Sequence, residues 1–114
     1  MLNSMRQFKA SVFQALGHPT RIAVVEFLAA EGEVSVTRIH EQLGLEQANA
    51  SQHLAVLRSR HVVVARKDGN QVFYSLRDPI LGKVLELMRT YFHSHVHDAL
   101  QSIKGLEKDM RTRK

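Results

Sequence analysis

The hydrophobic period of this chain changes twice. Apolar residues recur every three to four positions up to Leu57, every second position from His61 to Leu76, and every three to four again after Pro79. The pattern predicts five helices and one hairpin in the order α-α-α-α-β-β-α, a mainly α fold with a small β-hairpin. Its 114 residues suffice for one domain around one core and are too few for two ordinary domains.

The boundaries come from turn chemistry. The first helix is predicted over residues 5–16, with Phe8, Val12, Phe13 and Leu16 on one side and Gly17 as its stop. The second spans residues 19–30 behind His18 and starts at Pro19, because a helix tolerates proline in its first turn. Its inner face is Ile22, Val25, Leu28 and Ala29. Ser35 is the N-cap of a short third helix that turns Val36, Ile39 and Leu43 inward and ends at Gly44. The fourth covers residues 46–58, with Ala50, Leu54 and Leu57 inside. Residues 61–66 read as a strand, Lys67-Asp68-Gly69-Asn70 as a turn, and residues 71–76 as the returning strand. Asp78 caps a last helix over residues 79–103, striped by Leu81, Leu85, Met88, Phe92, His95 and Ala99. Residues 104–114 hold five basic and two acidic side chains, and fraying is expected there.

Composition removes several function classes. With no cysteine there is no disulfide, thiolate metal site or cysteine nucleophile. No apolar run approaches the roughly 18 residues of a membrane span. Residues 1–10 carry Arg6 and Lys9 without a following apolar segment, so no secretory signal, no membrane partner and a cytoplasmic location are expected. The chain lacks a glycine-rich phosphate loop, a His-Glu-x-x-His pair and a serine nucleophile motif, so it does not read as an enzyme. No cofactor is expected.

Charge is unevenly spread. The net value is +5, yet residues 1–57 hold four basic and five acidic side chains against twelve and six in residues 58–114. Arg58, Arg60, Arg66 and Lys67 fall within ten residues that contain no acid. Such a stripe suits a polyanion such as nucleic acid, although a solvated face has the same composition.

A short helix joined through Leu43-Gly44-Leu45-Glu46 to a second helix is a helix-turn-helix unit. The outer face of the second helix would show Gln47, Ala48, Asn49, Ser51 and Gln52, with His53 at its margin. Gln and Asn pair in bidentate fashion with adenine, Ser bonds bases or phosphates, and Ala48 suits a thymine methyl. Arg58 follows on the same helix. The hairpin tip adds Arg66, Lys67, Asn70 and Gln71, suited to phosphate oxygens or an adjacent minor groove. These eleven residues are the expected contacts to a double-stranded DNA operator.

Three motifs in order carry a resemblance. Ala15-Leu16-Gly17-His18-Pro19-Thr20-Arg21, the run from Leu43 to Arg58, and the run from Arg66 to Leu76 resemble the opening motif, recognition helix and wing of the ArsR/SmtB family of bacterial winged-helix repressors. The likeness covers roughly residues 8–100. It implies a winged helix-turn-helix DNA-binding and dimerisation domain over residues 1–104, followed by the tail 105–114. It further implies a homodimer paired through the first and last helices, with Phe8, Val12 and the last-helix stripe at the interface. Such a dimer would bind a two-fold symmetric operator and be released by a small inducer or metal ion. Gln47, Ala48, Ser51 and Gln52 fall on the family's base-contacting positions. Two positions depart from the pattern: Glu46 replaces the serine that usually caps the recognition helix, and His61 stands where many members have glycine.

The family's metal sites do not carry over. The thiolate positions fall on Ser35 and Thr37. Of the four ligands of the last-helix zinc site only Asp78 matches, the others falling on Ile80, Tyr91 and Ser94. No metal site is assigned. His93 and His97 do stand four apart on one helical face, the spacing for two imidazoles on one ion, and a zinc- or nickel-responsive repressor built on them is the alternative. A winged-helix interaction module without DNA binding is a second alternative.

Overall fold

The computed structural model describes residues 2–112. The elements are α1 (Leu2–Leu16), α2 (Pro19–Glu31), β1 (Val34–Ser35), α3 (Val36–Leu43), α4 (Gln47–Ser59), β2 (Val63–Asp68), β3 (Gln71–Leu76) and α5 (Ile80–Thr112). The five helices and the hairpin are those expected from the sequence. One strand, β1, is additional. It pairs antiparallel with β3, Val34 opposite Tyr74 and Ser35 opposite Phe73, so the hairpin becomes a three-stranded sheet of order β1-β3-β2. Two residues are too few to show a period.

Among the described residues, those up to Gly82 form one compact unit and the helix from Lys83 onward a second. The core of the first unit is Val24, Val25, Leu28, Val34, Ile39, Ala50, Leu54, Leu57, Val62 and Val63. Helix α2 sits among α1, α3, α4 and β3, which explains a departure from the expected stripe. Val24 is buried along with Val25 and Leu28, while Ala29 is exposed and Ile22 half-buried. Among the described side chains of α1, Ala15 and Leu16 are buried, while Phe8 and Phe13, expected on the same side as Leu16, are 64% and 60% exposed.

The second strand begins two residues later than predicted because His61 has φ +61°, in the left-handed region. A left-handed residue cannot continue a strand, and here it swings the chain from α4 into β2. Asp68 pairs with Gln71, so the turn is only Gly69-Asn70, with Gly69 at φ +60°. Glycine meets no Cβ clash there.

Helix α5 is longer than predicted. Residues 104–112, expected to fray, continue it, while Arg113 and Lys114 lie outside the described residues. Leu106 and Met110 sustain the three-and-four spacing, Glu107 precedes Arg111 by four, and Arg111 faces the negative end of the helix dipole. No residue of α5 is buried. Among the described residues no helix is long and apolar enough to cross a membrane.

Candidate nucleic-acid interface

Local sequence fixes the helix-turn-helix. The Ser35 hydroxyl accepts from the Arg38 amide at 3.2 Å, capping α3 as predicted. Gly44 closes α3 at φ +65°, and the Leu45 amide donates back to the His40 carbonyl at 2.9 Å. The His40 ring bonds the Leu45 carbonyl in turn, at 3.2 Å, which holds the turn from both sides. Ala50, Leu54 and Leu57 anchor α4 with no exposed surface. Their spacing turns Gln47, Ala48, Asn49, Ser51, Gln52 and Arg58 to solvent, as expected.

The wing returns to this helix. Gln47 and Ser51 of α4, Asn70 and Gln71 of the hairpin, and Ser35 and Thr37 at the start of α3 border one cleft of about 160 Å³. Four of the residues singled out in the sequence therefore line a common surface, although they lie about twenty residues apart. Thr37 is an addition. Its hydroxyl had no distinguishing signal, since its approach to the wing depends on β1 pairing with β3.

Arg66, expected at a phosphate, is ion-paired in the free chain. Its Nη2 lies 2.7 Å from Glu33 Oε1 and its Nε 3.1 Å from Oε2, while Nη1 reaches Asp68 at 3.7 Å. The guanidinium carbon also stands 5.0 Å from the centre of the Phe73 ring. The hydrogen bond from Arg66 holds the Glu33 carboxyl below its ordinary range, and the same bond raises Arg66 further. Lys67 makes no ion pair among the described residues. Glu33 was invisible in the sequence because nothing there links it to a residue 33 positions away.

His53 also departs from expectation. It is half-buried, with its ring centre 4.6 Å from that of His18. Position 53 borders Leu54 and flanks the buried stripe, so it faces α2 rather than the outer surface. His18 is itself fixed: its Nδ1 accepts from the Thr20 amide at 3.1 Å and caps α2. Burial, then His18 and Arg21, lower the His53 pKa from 6.5.

Residues 16–64 match a family described as a helix-turn-helix domain. An uncharacterised HTH-type transcriptional regulator of Mycobacterium tuberculosis, Rv0081, is 34% identical over 100 residues, 88% of each chain. Its crystal structure overlays with a TM-score of 0.74, covering 84% of this chain and 96% of that one at 37% identity. The chain belongs to the ArsR family of winged helix-turn-helix transcriptional regulators. The biofilm growth-associated repressor of Xylella fastidiosa is 35% identical to this regulator over 83 residues, 73% of this chain and 72% of that one. The homodimeric winged helix-turn-helix DNA-binding domain Mb0332 of Mycobacterium bovis, a possible ArsR-family regulator, overlays at TM-score 0.72 and 26% identity, over 82% of this chain and 85% of that one.

In this ArsR-family chain both departures from the family pattern have structural counterparts. Glu46 starts α4 without a side-chain cap bond. His61 takes the left-handed conformation that glycine would adopt freely, and its Nδ1 lies 3.4 Å from Arg77 Nη1. Of the expected interface residues, Phe8, Met88, Phe92, His95 and Ala99 are exposed, and Val12, Leu81 and Leu85 are half-buried. His93 and His97 are exposed, with Arg89 Nε 3.5 Å from His93 Nε2. No three potential metal ligands gather among the described residues.

Proposed function

We propose that this regulator binds a two-fold symmetric operator as a homodimer, represses the adjoining gene, and is released by a small inducer or metal ion. Helix α4 enters the major groove with Gln47, Ala48, Asn49, Ser51 and Gln52 toward base edges. Arg58 and Lys67 contact phosphates, Asn70 and Gln71 hydrogen-bond the backbone or minor groove beside α4, and Arg66 braces the wing. The observation that carries this reading is the shared cleft of Gln47, Ser51, Asn70 and Gln71, beside a helix face of short, uncharged donors and acceptors. That chemistry reads base edges at low desolvation cost. The exposed apolar side chains of α1 and α5 support dimerisation, as does the homodimeric state of the Mycobacterium bovis domain. The repressor of Xylella fastidiosa supports repression.

The test is fluorescence anisotropy against the DNA upstream of the regulator's own gene, with random duplex as control. Specific binding should weaken steeply with salt and protect two half-sites about one helical turn apart. Gln52→Ala should cost roughly 1–3 kcal/mol on the cognate site and little on random DNA. Equal affinity for both duplexes would overturn the reading.

A further inference from the structure

Helix α4 has a different neighbour on each margin of its outer face. At about 100° per residue, that face runs in the order Ser51, Ala48, Gln52, Asn49, His53. Gln47, Ser51 and Arg58 share the margin toward the wing, where Gln47 and Ser51 border the cleft with Asn70 and Gln71. His53 lies on the other margin, against the start of α2, its ring centre 4.6 Å from that of His18. A helix in the major groove, about 12 Å wide, has a phosphate strand on each side. Arg58 and Lys67 both stand on the wing side.

The margin of His53 is cationic. Burial, then the charges of His18 and Arg21, lower the His53 pKa, so the three side chains sit together. No ion pair engages any of them among the described residues. Arg21 Nε is buried and has no hydrogen-bond partner there, an arrangement that native proteins rarely leave uncompensated. His18 is exposed. Its Nδ1 accepts from the Thr20 amide at 3.1 Å, so the neutral ring carries its proton on Nε2 and donates from there. The stacked His53 ring limits how far the His18 ring can turn.

We propose that His18 and Arg21 form a phosphate-binding site for the DNA strand that lies across the major groove from the wing. His18 donates from Nε2, the Arg21 guanidinium supplies the positive charge, and α4 is then held against both walls of the groove. The proposal rests on the DNA-binding reading and adds the contact to the second strand.

The test separates this contact from the cap that His18 makes. Asn and Asp both cap helices well, so His18→Asn withdraws the ring donor and His18→Asp adds a negative charge while α2 keeps its start. His18→Asn should weaken binding to operator and random duplex alike by about tenfold, and His18→Asp by more, with melting curves by circular dichroism nearly unchanged. Arg21→Gln should flatten the log–log salt slope by about 0.9, and Arg21→Lys should keep it. Ethylating single phosphates of the duplex should reduce wild-type affinity on both strands flanking α4, and His18→Asn should lose that sensitivity on the strand away from the wing only. The His18 ring signals should move on adding duplex and stay in place on adding inorganic phosphate at equal ionic strength. Ethylation effects confined to the wing side, or wild-type affinity and salt slope in His18→Asp, overturn the proposal. A response to inorganic phosphate without one to duplex makes the site one for a small anion and overturns it as well. Random duplex reads the contact without any operator, so its failure is distinct from a failure of sequence-specific binding.

Discussion

Arg66 and Glu33 form a two-pronged ion pair, Nη2 to Oε1 at 2.7 Å and Nε to Oε2 at 3.1 Å. It joins β2 to the residue preceding β1, across the central strand, with the guanidinium seated on Phe73 of that strand. In the free chain the side chain expected at a phosphate is thus ion-paired at the base of the wing.

The first prediction concerns this clasp. Glu33→Gln should lower the melting temperature at neutral pH. Because the folded carboxyl titrates below its ordinary 4.5, its contribution is present above that pH and is lost as pH falls through the lowered value. Melting curves of wild type and Glu33→Gln should therefore differ at pH 7 and converge in acid. On DNA, Lys67→Ala should flatten the log–log salt slope by about 0.9, and Arg66→Ala by less, since its charge already faces Glu33. Equal flattening would return Arg66 to the phosphate contacts.

The backbone at His61 gives the second. A non-glycine residue in the left-handed region costs roughly 1–2 kcal/mol, partly offset in His61→Gly by the greater freedom of glycine in the unfolded chain. His61→Gly should stabilise the fold by about 0.5 kcal/mol, seen as a small rise in melting temperature, while His61→Val should lower it. A fall with glycine would mean that the contact with Arg77 outweighs the strain.

Glu46 separates stability from affinity. A serine cap is worth about 1 kcal/mol, while the carboxylate that it replaces gains about 0.3–1 kcal/mol from the helix dipole. Glu46→Ser should therefore leave stability nearly unchanged. It should tighten operator binding, most of all at low salt, because a negative charge at the mouth of the groove is gone. Anisotropy over a salt series measures this, and unchanged affinity would place Glu46 away from the phosphates.

The pairing of His53 with His18 predicts a pH response. The folded pKa of His53 lies below 6.5, so the unfolded chain binds the proton more readily. Its contribution to stability is full above 6.5 and declines as pH falls through the lowered value. NMR titration should show His53 as a depressed ring, and His53→Gln should reduce the pH dependence of melting in that window. A His53 titrating at or above 6.5 would contradict the packing.

Much of this was legible in the residues. The period change located every helix and the hairpin, Ser35 and Gly44 marked the ends of α3, and Ala50, Leu54 and Leu57 oriented the outer face of α4 correctly. What stayed hidden depends on chain-distant contacts. Strand β1 exists only because β3 lies beside Val34, and with it come Glu33 against Arg66 and Thr37 in the cleft. His53, at the margin of the outer face, is half-buried because His18 packs against it from the start of α2. The last turns of α5 read as a fraying tail because five basic side chains obscure the continuing apolar spacing of Leu106 and Met110.

Strand β2 is one of the two edge strands of the sheet, so no further strand among the described residues pairs with its outer edge. A bare edge is a template for neighbouring chains. Three consecutive charged side chains, Arg66, Lys67 and Asp68, occupy half of its six residues, and a second copy sliding edge to edge would have to strip water from all of them. Charge on that edge disfavours its pairing with a neighbouring chain.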